Sequence, residues 1–217
     1  MKLRLPSRGL SVIGALLCAG TVALPNIAMA RDMSLDAAMN PVPHRRAADG
    51  GSQVRGHVDI FRRGRFVDVH VVAVGLSPKL VHAMHIHGIG NSDCPSEGAR
   101  DNRKADGLID TTEGAPAYGP ITVSLTKRGD TTPASGLAVE RFPVAGKFGR
   151  INYDRSFRIG QNFPWRVARN IARMQVVIHG IDTNHNHRYD FSKGKSDLDP
   201  NLPQEATVPA SCGTIHH

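Results

Sequence analysis

The residues best suited to chemistry lie in positions 81–94, Val-His-Ala-Met-His-Ile-His-Gly-Ile-Gly-Asn-Ser-Asp-Cys, centred on His85-Ile86-His87. Side chains on a strand alternate faces, so His85 and His87 project to one side and Met84 and Ile86 to the other. Two imidazoles fixed side by side on a strand offer a pair of nitrogen ligands to a borderline or soft transition metal. His-x-His alone also fits two histidines on a half-exposed strand. The metal reading gains from a third strand histidine, His179, and from Cys94 and Cys212, which are placed to tie the ends of the chain together. His82 lies an odd number of residues from His85 and His87, so it faces away and reads as a structural, hydrogen-bonding histidine.

These residues must be positioned by strands. Residues 53–61 and 66–74 alternate in polarity around the turn Arg62-Arg63-Gly64-Arg65 and read as a hairpin. Val67, Val69, Val71 and Ala73 form its core face, with His70 on the solvent face. Residues 82–87 and 121–126 are further strands, and 136–142, 150–159, 172–179 and 206–215 are candidates, with a short helical turn at 164–173. Residues 91–120 read as a long irregular loop, of the kind that is functional or pinned down. Residues 31–51 read as a flexible leader, with His44 unassigned. Short strands between Gly- and Pro-rich turns imply one all-β sandwich or barrel over residues 52–217.

Residues 1–30 have the form of a secretory signal: a basic start (Lys2, Arg4, Arg8), an apolar run from Leu10 to Leu24, and the small-x-small site Ala28-Met29-Ala30. The run is too short and interrupted for a membrane span. A periplasmic or secreted protein is therefore expected. The three basic residues of that segment removed, 24 of 27 remain against 19 acidic ones, a net charge near +5. This is a soluble surface with a basic bias, suited at most to attracting small anions or an anionic envelope surface. No pairing of the basic residues with exposed aromatics is expected, so nucleic acid is not expected as a partner. Cys94 and Cys212, the two cysteines after residue 30, are most simply one disulfide in an exported protein. Thiolate ligation is the alternative, but no partner with metal spacing lies near Cys212. Such a crosslink closes a loop of more than a hundred residues, worth about 4–5 kcal/mol in the chain-entropy treatment.

Three segments, GLSPKLVHAMHIHGIGNSDC (75–94), MQVVIHGID (174–182) and PASCGTI (209–215), resemble the copper,zinc superoxide dismutase family, and the likeness extends over roughly residues 53–215. The resemblance implies an eight-stranded Greek-key barrel with long loops and a Cys94–Cys212 disulfide. It implies copper ligands at His85, His87 and His179, which would serve as the catalytic centre. The chain departs from the family elsewhere. No histidine lies between His87 and His179, so the bridging and zinc ligands are missing, and zinc is not expected. Tyr118 stands roughly where the bridging ligand would be sought and reads as a buried, partner-bonded tyrosine. Pro209 replaces the arginine that guides the superoxide anion.

Two loop features add weaker expectations. Asp182, Asn184, Asn186 and Asp190 alternate like the oxygen ligands of a calcium loop, yet His187 and Lys193 occupy the positions of its glycine and its closing acid, so an Asx-turn loop competes. His185 and His187 offer a second transition-metal site with His216 and His217. The sequence therefore points to an exported superoxide dismutase-like copper protein that converts superoxide to oxygen and hydrogen peroxide. The alternative is a non-catalytic copper carrier or buffer, or a structural envelope protein, on the same fold.

Overall fold

The computed structural model describes residues 32–217 apart from 89, 90, 92, 102, 103 and 105. The signal-peptide expectation for residues 1–30 lies outside the described residues. Eight strands occur among those described: β1 (Met33–Pro41), β2 (Arg55–Arg63), β3 (Phe66–Val74), β4 (Met84–His87), β5 (Ile121–Ser124), β6 (Ile151–Arg158), β7 (Gln175–His179) and β8 (Pro209–Thr214). All pair antiparallel in a single curled sheet ordered β5-β4-β7-β8-β1-β2-β3-β6. The links β3–β4, β5–β6 and β6–β7 cross between the two halves, in the Greek-key manner. At the seam between the edges, the Arg155 guanidinium of β6 donates to the carbonyl and hydroxyl of Thr126, just beyond β5, and the Tyr153 hydroxyl donates to the same carbonyl at 3.2 Å.

Alternation decides what the strands bury. In β3 the side chains of Val67, Val69, Val71 and Ala73 are buried while Phe66, Asp68, His70 and Val72 face outward, and His70 meets Asp154 across the ladder. Strands β4 and β7 are buried on both faces. Met84, Ile86, Val176 and Ile178 enter the main core. The opposite faces are covered by loops instead of solvent, because the Cys94–Cys212 disulfide (Cα–Cα 5.7 Å) and a second apolar cluster of Val42, Ile109, Tyr118, Val177 and Cys212 hold the 94–120 segment against the sheet.

Three expectations change. The segment read as a flexible leader supplies β1, whose Leu35, Ala37 and Met39 are buried in the core. β1 pairs with β2 over seven residues and with β8 through Asn40 and Pro41, joining the two halves of the sheet. Its Met-Ser-Leu-Asp-Ala-Ala-Met register has weak strand propensity, and cross-strand partners supply what propensity does not. His44 is also placed: Nε2 donates to the Pro209 carbonyl at 2.8 Å, and Nδ1 accepts from the Ile109 amide at 2.9 Å. Burial lowers its pKa. The 91–120 loop contains helix α1 (Thr111–Tyr118), and residues 136–142 form a 3-10 turn at Val139–Arg141 rather than a strand. Helices α2 (Trp165–Asn170) and α3 (Gln204–Thr207) complete the fold. No helix among the described residues is long and apolar enough to cross a membrane.

Leu35→Ala tests the place of β1 directly. Truncating a fully buried leucine costs about 2–4 kcal/mol, read by urea unfolding, whereas a shift near zero would return residues 31–51 to the status of a leader.

Candidate metal centre

The ladder between β4 and β7 sets the histidines in register. His85 stands opposite Val177 and His87 opposite Gln175, so His179 lies diagonally across from His85 on the same face. The register shifts between Ile86 and His87 on the β5 side and between Ile178 and His179 on the β8 side. Such irregularities re-aim side chains beside functional sites. Here they accompany three rings that converge, with centroids 5.6 Å (His85–His87), 5.2 Å (His85–His179) and 6.0 Å (His87–His179) apart. One nitrogen from each ring lies within 4.8 Å of the other two, and among the described residues this is the single group of three or more His, Cys, Asp or Glu able to hold a metal ion.

Each ring is locked from behind by a main-chain carbonyl. His85 Nε2 donates to Gly136 O at 3.1 Å, His87 Nδ1 to Gly119 O at 2.9 Å and His179 Nδ1 to Thr207 O at 2.7 Å. A carbonyl only accepts, so the proton of each neutral ring sits on that nitrogen and the lone pair on the other. The nitrogens carrying the lone pairs, His85 Nδ1, His87 Nε2 and His179 Nε2, are buried without any hydrogen-bond partner. Burial disfavours the charged rings. It holds His85 well below its ordinary value, with repulsion from His179 and His87 adding to the effect, and brings His87 to about 3 and His179 to about 4. Three buried, neutral, unpartnered imidazole nitrogens form a donor set that a transition ion satisfies, with each ligand already held by a second hydrogen bond.

The carbonyls come from three separate segments. Gly119 follows α1, which is capped reciprocally by Asp110 and Glu113: the Glu113 amide donates to Asp110 and the Asp110 amide to Glu113. Gly119 has φ 78°, a left-handed conformation that glycine adopts without strain. Gly114 lets the Tyr118 ring fold back on the helix, since a Cβ there would lie 2.6 Å from that ring. Thr207 closes α3, and its carbonyl also accepts from Thr111 Oγ1 at 2.9 Å, coupling α3 to α1. Gly136 belongs to the 133–141 turns, whose neighbour Phe142 stacks edge-on against His85. Above the rings these segments enclose a cavity of about 360 Å³, walled by Pro133, Leu137, Val139, Leu198 and Leu202 and, among the described residues, lined by no charged side chain.

The other candidates fall outside this centre. Tyr118 is buried against His87, but its hydroxyl donates to Thr111 O at 2.9 Å, and burial raises its pKa. It serves as a packing residue. His82 faces away as expected, with Nδ1 2.9 Å from the carbonyl oxygen of His179 and Nε2 3.1 Å from that of Ser77. Pro209 is buried beside His179, and its carbonyl accepts from His44. In the 182–190 loop the oxygens a cation would use are taken by N–H groups. Asp182 accepts the amides of Asn186 and His187, Asn184 accepts the Asn186 amide, Asn186 accepts the Arg188 amide, and Asp190 accepts from Asn184, Asn186 and Ser192. The loop is built of Asx turns, the reading that competed with a calcium loop. His185 bonds to Gly50 O and His216 to Thr214 O, and these two do not assemble with His187 and His217 into a metal-binding group. Compared with known proteins, the chain matches no family model and no curated protein.

The buried rings give the metal-free protein a pH signature. Their folded pKa values lie below the unfolded value, so the unfolded chain binds more protons between about pH 6.5 and 4, and stability falls as pH drops through that window. His87→Leu should flatten the slope of unfolding free energy against pH by about 1.4 kcal/mol per pH unit near pH 5. An unchanged slope in chemical unfolding would mean that His87 titrates normally.

Proposed function

We propose that this chain is a copper protein of the superoxide dismutase-like kind, with His85, His87 and His179 as the ligands and superoxide as its substrate. The observation that carries the reading is the convergence of three neutral imidazoles, each with its lone pair free and its other nitrogen tied to a carbonyl. Three imidazoles suit Cu(I) and Cu(II), and the resemblance across residues 75–94, 174–182 and 209–215 favours copper over zinc. The Cys94–Cys212 disulfide supports an oxidising compartment such as the periplasm or the exterior.

Bound copper would supply the one-electron cycling that converting superoxide to oxygen and hydrogen peroxide requires. The chain's own part is to bind, orient and keep the ligands unprotonated. The Gly136, Gly119 and Thr207 carbonyls fix the tautomers, and burial holds the rings neutral to well below neutral pH. The cavity leaves room for a small molecule and for water beside the open face of the rings. Tyr118 does not deliver the protons, because its hydroxyl is committed to Thr111 and burial raises its pKa. Protons for the product therefore come from solvent entering the cavity.

A second reading, a copper carrier or buffer without catalysis, is favoured because no Lys or Arg lines the cavity among the described residues, so none of these supplies a local field to draw an anion inward. One experiment separates them: copper per chain and the dismutation rate of the copper-loaded protein. We expect one copper per chain and a dismutation rate above that of copper-free protein. His179→Ala should weaken copper binding by more than about a hundredfold, the upper range for losing a group that only supports a ligand. Stoichiometric copper without turnover selects the carrier, and copper binding indifferent to His179 removes the site.

A further inference from the structure

Part of the basic excess of this chain lies together on elements that do not line the histidine cavity. The tip between β2 and β3 carries Arg62, Arg63 and Arg65, β6 ends on Arg158 opposite Phe66, and α2 carries Arg166 and Arg169. Three contacts hold these pieces together. Arg62 donates to the Ala168 carbonyl at 3.1 Å, the Ile159 amide donates to the Arg65 carbonyl at 2.8 Å, and the Arg65 guanidinium sits 5.7 Å from the centroid of the Trp165 ring. Six arginines therefore converge on one end of the sheet, all exposed except the half-buried Arg62. Asp68 is committed to Arg63, and Asp32 acts on that same guanidinium. Arg65, Arg158, Arg166 and Arg169 have no ion pair among the described residues.

Apolar surface is set among these charges. Phe66 is 51 % exposed, Phe61 44 % and Trp165 41 %, unusual values for large aromatics. Exposed aromatics do pair with the basic residues here, contrary to expectation: Phe61 and Phe66 flank the Arg62–Arg65 turn and Trp165 precedes Arg166. Guanidinium groups recognise phosphate oxygens, and exposed Trp and Phe suit the boundary between lipid headgroups and acyl chains. The surface is a projecting hairpin tip rather than a groove that would track a polynucleotide, and Arg65 lies over the Trp165 ring on which a base would stack.

We propose that this end of the sheet is a docking surface for an anionic lipid bilayer, with the arginines on lipid phosphates and Phe66 and Trp165 in the interfacial layer. Trp165 is the sole tryptophan, so its emission reports the event directly. Mixed phosphatidylcholine–phosphatidylglycerol vesicles should shift that emission to the blue, brominated acyl chains should quench it, and added salt should reverse both. The combined variant Arg158→Gln, Arg166→Gln, Arg169→Gln leaves Arg65 on the indole and alters exposed positions only, and it should weaken vesicle binding by roughly a hundredfold. The proposal is overturned by equal binding to pure phosphatidylcholine, by binding unchanged in the variant, by no change in emission, or by an RNA homopolymer producing the same shift.

Discussion

Three hydrogen bonds from imidazole N–H groups to the carbonyls of Gly136, Gly119 and Thr207 are the constraint on which the candidate centre depends. A histidine ring can rotate and can carry its proton on either nitrogen, so ligand residues on neighbouring strands do not by themselves define a site. The carbonyls remove both freedoms at once. Each comes from a different connecting segment, and the Thr207 carbonyl, shared by His179 and Thr111, joins two of those segments. The order of the loops and the chemistry of the rings are therefore one property.

The sheet keeps this arrangement apart from its own stability. The inner faces of β4 and β7 contribute Met84, Ile86, Val176 and Ile178 to the main core, while the same strands present His85, His87 and His179 on the outer side. Continuous apolar packing on one face allows the other to carry three unsatisfied nitrogens, a local violation of hydrogen-bond pairing of the sort functional sites retain. The disulfide and the small cluster around Tyr118 and Val177 then turn the outer face into a second interior.

Charge is divided in the same way. Among the described residues no charged side chain lines the cavity over the rings, and the low effective dielectric there keeps the rings neutral. Six of the arginines lie together at the β2–β3 tip, the end of β6 and α2. A net positive chain thus has an electrically quiet cavity and a strongly basic end.

The sequence by itself determined the fold class, the β2–β3 hairpin, the common face of His85 and His87, the hydrogen-bonding role of His82 apart from that face and the cysteine pair, because period-two alternation and residue type are local properties. Helix α1 read as loop because Gly114 and Pro116 are poor helix formers, and its reciprocal cap between Asp110 and Glu113 is seen only in the structure. Only the tertiary structure decided that residues 33–41 form a strand, since their partners lie on β2 and β8. Only it decided that the Asp182–Asp190 side chains cap their own loop, which depends on where backbone amides point. The same holds for the tautomers of the three histidines and the meeting of Arg65 with Trp165, because contacts to main-chain carbonyls and between distant segments leave no periodic trace in the order of residues.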